Sequence, residues 1–400
     1  MKPKISYLVS NITVLFLGLF FSFVLLEVAL RIFWNKPKEV NKPKYQTPFW
    51  APSGADEAQV SLHYEDPILG WRHRPGASVW LRRSCFTTFV SLNFMGTRDE
   101  VEEFNAESIV LLGDSFMEGL QVNTDKLFDK LLEIKIEVPV LNFGVSGYGP
   151  DQYLEVYKRV KDIIPHRAVV VAMYVGNDIR NVSRYLEEMA NGHRSSKKFF
   201  GESNNDTSQV SVPASLSESN DAIPLWKRIG RLFSIYHFVG GQLHELGILK
   251  RPLPVDWQLY LYPPDPQWEK AWDTVKQVLL DLHREVGEKP MLVMIIPDRL
   301  EVAPENMVKR EMRKYRIPTS LEFRLDWPRS NLKLLLREMG IPFIDLTPAL
   351  TTAVRKQGFY SVYLPCDSHW SEQGHAVAAD VVANYILRTW SNVMGGRGKM

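Results

Sequence analysis

Polar and apolar positions divide the 400-residue chain into stretches of different period. From Leu8 to Leu26 the chain is apolar except at Ser10, Asn11, Thr13, Gly18 and Ser22. With Ile5 and Tyr7 ahead of it, this run is long enough to cross a hydrocarbon core of about 30 Å as a helix. A cleaved secretory signal has a shorter apolar region that ends in a small-x-small site, so the pattern predicts a retained single-pass anchor over residues 5–34. Glu27 and Arg31, four apart, can pair on one face, and Trp34 falls at headgroup level. Residues 35–59 carry Pro37, Pro43, Pro48 and Pro52 among lysines, which suits an extended stalk.

Residues 60–104 read as a short β-rich lead-in, with a turn at Asp66–Trp71 and strand-like alternation over Thr87–Leu92. From about 105 to 395, apolar runs alternate with helical patterns, the signature of a parallel α/β sheet. The strand candidates are Ile109–Leu112, Val140–Phe143, Ala168–Tyr174, Met291–Ile296 and Pro342–Ile344. An insertion at about 190–260 interrupts them. Its part 190–222 is rich in Ser, Asn and Glu and reads as a loop. Its part 225–247 repeats Leu225, Ile229, Leu232, Tyr236, Val239 and Leu243 at helical spacing. That pattern fits a helix packed on the domain better than a lid or a membrane-surface helix. Asp265 and Pro266 open a further helix that ends near Gly287 and turns Trp268, Trp272, Val275, Leu279 and Leu282 inward.

Composition narrows the function. Lys plus Arg is 48 and Asp plus Glu is 46, a balance that leaves no basic footprint for nucleic acid. Cys85 and Cys366 are the two cysteines; they cannot form a disulfide framework or a four-thiolate zinc site. In an oxidising compartment they could close one long loop.

Four motifs carry candidate chemistry. The first strand runs into Gly113-Asp114-Ser115, which sets a serine where strand gives way to helix, at the end of the sheet where ligands gather. The N–H groups there can stabilise an anion. The second strand runs into Asn142-Phe143-Gly144-Val145-Ser146-Gly147, whose glycines allow close approach to a backbone N–H. The third ends at Gly176-Asn177-Asp178, where the Asn177 amide can donate to an oxyanion. Near the C-terminus stands Cys366-Asp367-Ser368-His369-Trp370. In an extended segment Asp367 and His369 face the same way, so the carboxylate can fix the imidazole tautomer and leave Nε2 for a hydroxyl nucleophile. Taken singly, each motif has a plain structural reading, as helix cap or turn. Together they supply nucleophile, base, orienting carboxylate and oxyanion donors for acyl transfer. His375 reads as structural.

These blocks resemble those of the SGNH, or GDSL, hydrolase family, in order and over roughly residues 105–390. The resemblance implies a flavodoxin-like three-layer α/β/α sandwich around a parallel sheet. It implies Ser115, His369 and Asp367 as catalytic residues and Ser115, Gly147 and Asn177 as the oxyanion hole, with no metal and no cofactor. One residue separates Asp367 from His369 where many members have two, which resembles the branch of polysaccharide O-acetyltransferases and related cell-envelope proteins. Asp66-Pro67-Ile68-Leu69-Gly70 and Asn93-Phe94-Met95-Gly96-Thr97-Arg98-Asp99 also resemble segments that precede the catalytic domain in membrane-anchored bacterial members.

The implied function is a serine esterase, a carboxylic ester hydrolase working through an acyl-enzyme on O-acyl groups of cell-envelope glycans or lipids. An O-acetyltransferase acting on a polysaccharide is the alternative. A dinuclear metallohydrolase fits less well, because its ligand set is too thin here. A membrane-tethered glycan-binding or assembly protein with lapsed activity is a rival of another class. Expected partners are an acylated glycan or lipid and the membrane, not nucleic acid. Arg31, Lys36, Lys38, Lys42 and Lys44 favour a cytoplasmic body, whereas the resemblance implies a periplasmic or extracellular one, and long domains translocate largely regardless of charge.

Overall fold

A computed structural model describes residues 3–33, 56–99, 107–192, 194–202, 234–246, 248–317 and 320–390. Trp34, the stalk prolines, residues 203–222 of the expected loop and residues 225–233 of the expected helix lie outside the described residues. In chain order the strands are β1 (His63–Asp66), β2 (Gly70–His73), β3 (Ser78–Arg82), β4 (Thr87–Ser91), β5 (Ser108–Leu112), β6 (Val140–Asn142), β7 (His166–Tyr174), β8 (Arg251–Pro252), β9 (Leu261–Tyr262), β10 (Met291–Ile296), β11 (Tyr315–Arg316), β12 (Glu322–Phe323) and β13 (Phe343–Asp345). The chain forms two compact units.

One unit gathers Met1–Gln46, Pro213–Pro252 and Lys309–Arg316. Its first helix, Pro3–Phe33, contains the stretch Val14–Ile32, long and apolar enough to cross a membrane and almost wholly exposed. Arg31 Nε donates to Glu27 Oε1 at 2.7 Å, the expected pair one turn apart. The backbone N–H of Ile235 donates to Glu27 Oε2 at 3.0 Å, so the helix Ser234–Glu245 packs against the apolar helix. A helical period marks a face that packs, and cannot by itself name the surface it packs on.

The other unit holds the α/β domain. Its five-stranded sheet has the order β13-β10-β7-β5-β6, all neighbours parallel. These are the five strands expected from the apolar runs, with ends displaced by two residues at most. Alternation then divides each strand between two cores. Val110, Leu112, Val169, Val171, Val293 and Ile295 meet the helices Pro150–Val160, Pro266–Val286 and Trp327–Glu338 on one face. Ile109, Leu111, Val170, Ala172, Leu292 and Met294 meet Phe128–Ile136, Thr347–Gln357 and Glu372–Thr389 on the other. The result is an α/β/α sandwich. Asp265 caps the helix Pro266–Val286 through the Gln267 N–H, and Gly287 ends it, as the sequence predicts.

Chain order locates the site. From β5 the chain steps to β6 on one side, then returns to β7 on the other and continues to β10 and β13. The direction of winding reverses beside β5, and ligands of open α/β sheets bind at the carboxyl ends of strands at such a switch point. Ahead of the sheet, β1/β2 and β3/β4 are antiparallel hairpins, in accord with the turn and alternation read from the sequence. Cys85 and Cys366 form a disulfide with a Cα–Cα distance of 5.7 Å, closing a separation of 281 residues.

Candidate active site

Ser115 opens the short helix Ser115–Glu118 directly after β5. Asp114 caps this helix by accepting the Phe116 N–H at 2.9 Å, and Gly119 ends it in the left-handed conformation. Arg98, buried, donates to the carbonyls of Glu118 and Val122 at 3.0 Å each and also to that of Gly119. It thereby satisfies carbonyls that the helix end leaves free.

Because β6 and β7 flank β5, the two other sheet-end motifs stand on either side of Ser115. Gly147 has φ +78°, and a Cβ there would meet the Trp71 ring at 3.0 Å. Both facts require glycine. The turn is held by Trp71, whose Nε1 donates to the Ser146 carbonyl at 3.0 Å, and by Tyr148, whose hydroxyl donates to the Trp71 carbonyl at 2.6 Å. Asn177 precedes the helix Asp178–Asn181. Asp178, fully buried, accepts from the Tyr174 N–H at 2.9 Å and the Tyr153 hydroxyl at 3.0 Å, which ties the turn to its own strand. Burial, together with nearby Asp114, pushes the Asp178 carboxyl well above the usual carboxylate range. Asn177 Oδ1 is buried with no hydrogen-bond partner.

His369 comes from the far end of the chain. Its Nε2 lies 2.7 Å from Ser115 Oγ, and its Nδ1 makes a short hydrogen bond to Asp367 Oδ1. A carboxylate only accepts, so Nδ1 carries the proton and Nε2 presents its lone pair to the serine. Asp367 Oδ2 accepts from Gln121 Nε2 at 3.2 Å, a contact not foreseen from the sequence. Asp367 and His369 were expected on an extended segment, but residues 365–369 form a bend closed by a Tyr363–Trp370 bridge. The His369 N–H donates back to Asp367 Oδ1 at 3.1 Å. A turn of this kind lets an Asp hold the backbone two residues on, and it joins the two side chains in place of strand alternation.

The electrostatics suit proton transfer. Burial alone lowers the His369 pKa, but the hydrogen bond and charge of Asp367, with Asp114 and Glu118 behind, carry it above its ordinary value. Against its own burial, Asp367 is held down at about 2 by the imidazole. Burial pushes the Asp114 carboxyl up to about 6. The Phe116 ring packs on His369, with centroids 4.9 Å apart. His375 lies apart from this group: its Nδ1 accepts the Phe128 N–H at 3.2 Å, and burial lowers its pKa to about 3. A cavity of about 510 Å³ borders Cys85, Thr88, Gln121 and Leu364 but includes neither Ser115 nor His369.

Residues 255–399 match the model of a family described as SGNH hydrolase-like domain, acetyltransferase AlgX. The matched segment takes in Asp367 and His369, with Ser115, Gly147 and Asn177 ahead of it, so over that segment the chain is similar to an SGNH hydrolase-like domain. Similar solved structures include a lipase/acylhydrolase from Enterococcus faecalis, 13% identical, covering 70% of this chain and 95% of that one at a TM-score of 0.35. Another is a catalytic mutant of Axe2, an acetylxylan esterase from Geobacillus stearothermophilus, 12% identical, covering 75% and 100% at 0.33. No curated protein sequence matches the chain significantly.

Proposed function

We propose that this chain is a serine esterase with Ser115 as nucleophile, His369 as general base and Asp367 as the carboxylate that orients it. The observation that carries the reading is the 2.7 Å approach of His369 Nε2 to Ser115 Oγ, with Asp367 on the opposite nitrogen. In the proposed reaction His369 Nε2 takes the Ser115 proton as Oγ attacks an ester carbonyl. The oxyanion receives the N–H groups of Ser115 and Gly147 and the Asn177 amide. Collapse expels the alcohol, which His369 protonates, and leaves an acyl-Ser115. A second hydroxyl, from water or a sugar, gives its proton to His369 and takes the acyl group, and His369 returns that proton to Ser115 Oγ as its ester bond breaks.

The substrate class in this reading is an O-acylated cell-envelope glycan or lipid. The description of the matched family as an acetyltransferase favours a second hydroxyl acceptor besides water, which this reading takes to be that of a polysaccharide. The helix Pro3–Phe33 serves as a membrane anchor, with the domain on the periplasmic or extracellular side. The Cys85–Cys366 disulfide supports that placement, because such bonds persist in oxidising compartments. The full chain in mild detergent should hydrolyse p-nitrophenyl acetate and be labelled at Ser115 by a serine-directed phosphonate. Absence of both turnover and labelling overturns the assignment. Mass spectrometry of acids released from envelope glycans, against acyl groups gained by an added oligosaccharide, separates hydrolysis from transfer.

A further inference from the structure

Three acceptor atoms converge behind the nucleophile helix. His63 Nε2, His73 Nε2 and Glu118 Oε1 lie within 4.8 Å of one another, and all three residues are buried. Each imidazole has its other nitrogen committed: His63 Nδ1 bonds the Gln59 carbonyl at 2.7 Å, and His73 Nδ1 bonds the Gly96 carbonyl at 2.7 Å. A carbonyl only accepts, so both protons sit on Nδ1 and both Nε2 lone pairs face the Glu118 carboxylate. Lone pairs that meet a buried carboxylate need a cation between them.

A proton would suffice for one contact, His73 Nε2 to Glu118 Oε1 at 2.6 Å. It leaves His63 Nε2 at 3.5 Å from the same oxygen and without a hydrogen bond. A metal ion engages both imidazoles at once. The surroundings also fit one: histidine ligands usually donate their remaining N–H to a carbonyl, and ligating carboxylates are themselves hydrogen-bonded. Here Glu118 Oε2 accepts from the Ser146 N–H at 3.0 Å and from the Ser146 hydroxyl.

We infer that His63, His73 and Glu118 bind one zinc-class divalent ion, which fastens β1 and β2 to the nucleophile helix. Two nitrogens and one oxygen are the ligand chemistry of tetrahedral Zn²⁺, with one position left for water. With bonds of about 2.0–2.1 Å, His73 and Glu118 separate to about 3.3 Å across the ion, a shift of less than about 1 Å. The ion is structural and takes no part in acyl transfer, so the inference stands apart from the esterase reading.

The test uses the full chain in mild detergent, produced with added zinc and dialysed against metal-free buffer. Elemental analysis should find about one zinc per chain. Cobalt substitution should give the visible bands of a four-coordinate ion. Dipicolinate should lower Tm by about 5 °C or more, restored by zinc. His63→Gln with His73→Gln should lose the metal, whereas Ser115→Ala should keep it. If the double variant does not fold, the cobalt spectrum and chelator shift of the wild type decide. Less than about a tenth of an equivalent of zinc, with no cobalt bands and no chelator shift, overturns the inference and leaves a proton in place of the ion. Metal retained by the folded double variant overturns it equally.

Discussion

The blocks that carry the proposed nucleophile and the proposed base reach the same point by different means. Ser115 sits at the end of a strand paired on both sides, on a helix capped by Asp114 and braced at its far end by Arg98. Asn142 Nδ2 also donates to the Met117 carbonyl at 2.7 Å. His369 sits in a bend outside the sheet, held by the Tyr363–Trp370 bridge, a 3.0 Å bond from the Leu364 N–H to the His369 carbonyl, and the Cys85–Cys366 disulfide. A parallel sheet positions its strand-end residue through many cooperative bonds. A bend outside the sheet rests on a few separate ties, its own bridge and turn and one disulfide from distant sequence. The serine position therefore belongs to the sheet itself, whereas the histidine position depends on ties that can be cut one at a time.

The comparison can be broken at graded points. Ser115→Ala should have the largest effect, removing on the order of 10⁴ or more of kcat on p-nitrophenyl acetate and all phosphonate labelling, with Tm unchanged. Asp367→Asn should cost roughly 10³–10⁴ in kcat, because the imidazole loses the partner that fixes its tautomer. It also tests the sign of the pH dependence. In the proposed reaction the base is neutral His369, whose pKa is raised in the fold. Wild-type kcat/KM should therefore rise with pH through a midpoint above 6.5. Removing the Asp367 charge should move that midpoint down; an unmoved midpoint assigns the titration to another group.

Smaller effects separate the flanking turns from the disulfide. Asn177→Ala should cost on the order of 10²–10³ in kcat with little change in KM. Gly147→Ala should lose as much, since it also strains a φ of +78° and presses on Trp71. Cys85→Ser leaves the sheet intact and frees only the base block. Its signature should be a stability loss of about 2–5 kcal/mol in denaturant unfolding, with a smaller fall in kcat. If Cys85→Ser instead silenced the enzyme with Tm unchanged, the bend would be less self-supporting than its bridge and turn imply.

Much of the site was legible because its parts are local. Apolar runs broken by glycine marked β5, β6 and β7, and Ser115, Gly147 and Asn177 follow directly from where those runs end. The lead-in was read only as a short β-rich segment, yet Trp71 holds the Gly147 turn and Arg98 closes the nucleophile helix. Nothing local betrays such roles, because each partner lies twenty or more residues away and has no periodic relation to it. Gln121 beside Asp367 and Glu118 beside His63 and His73 were missed for the same reason.

The amino-acid order determined which runs become strands and helices, since alternation and helical spacing are properties of neighbours along the chain. It also determined which side chains could serve as nucleophile, base and donor. Only the tertiary structure decided that β6 and β7 flank β5, that a bend and not a strand joins Asp367 to His369, and that Cys85 meets Cys366. Those outcomes depend on strand order, loop closure and shared burial between segments far apart, and a one-dimensional pattern carries no measure of these.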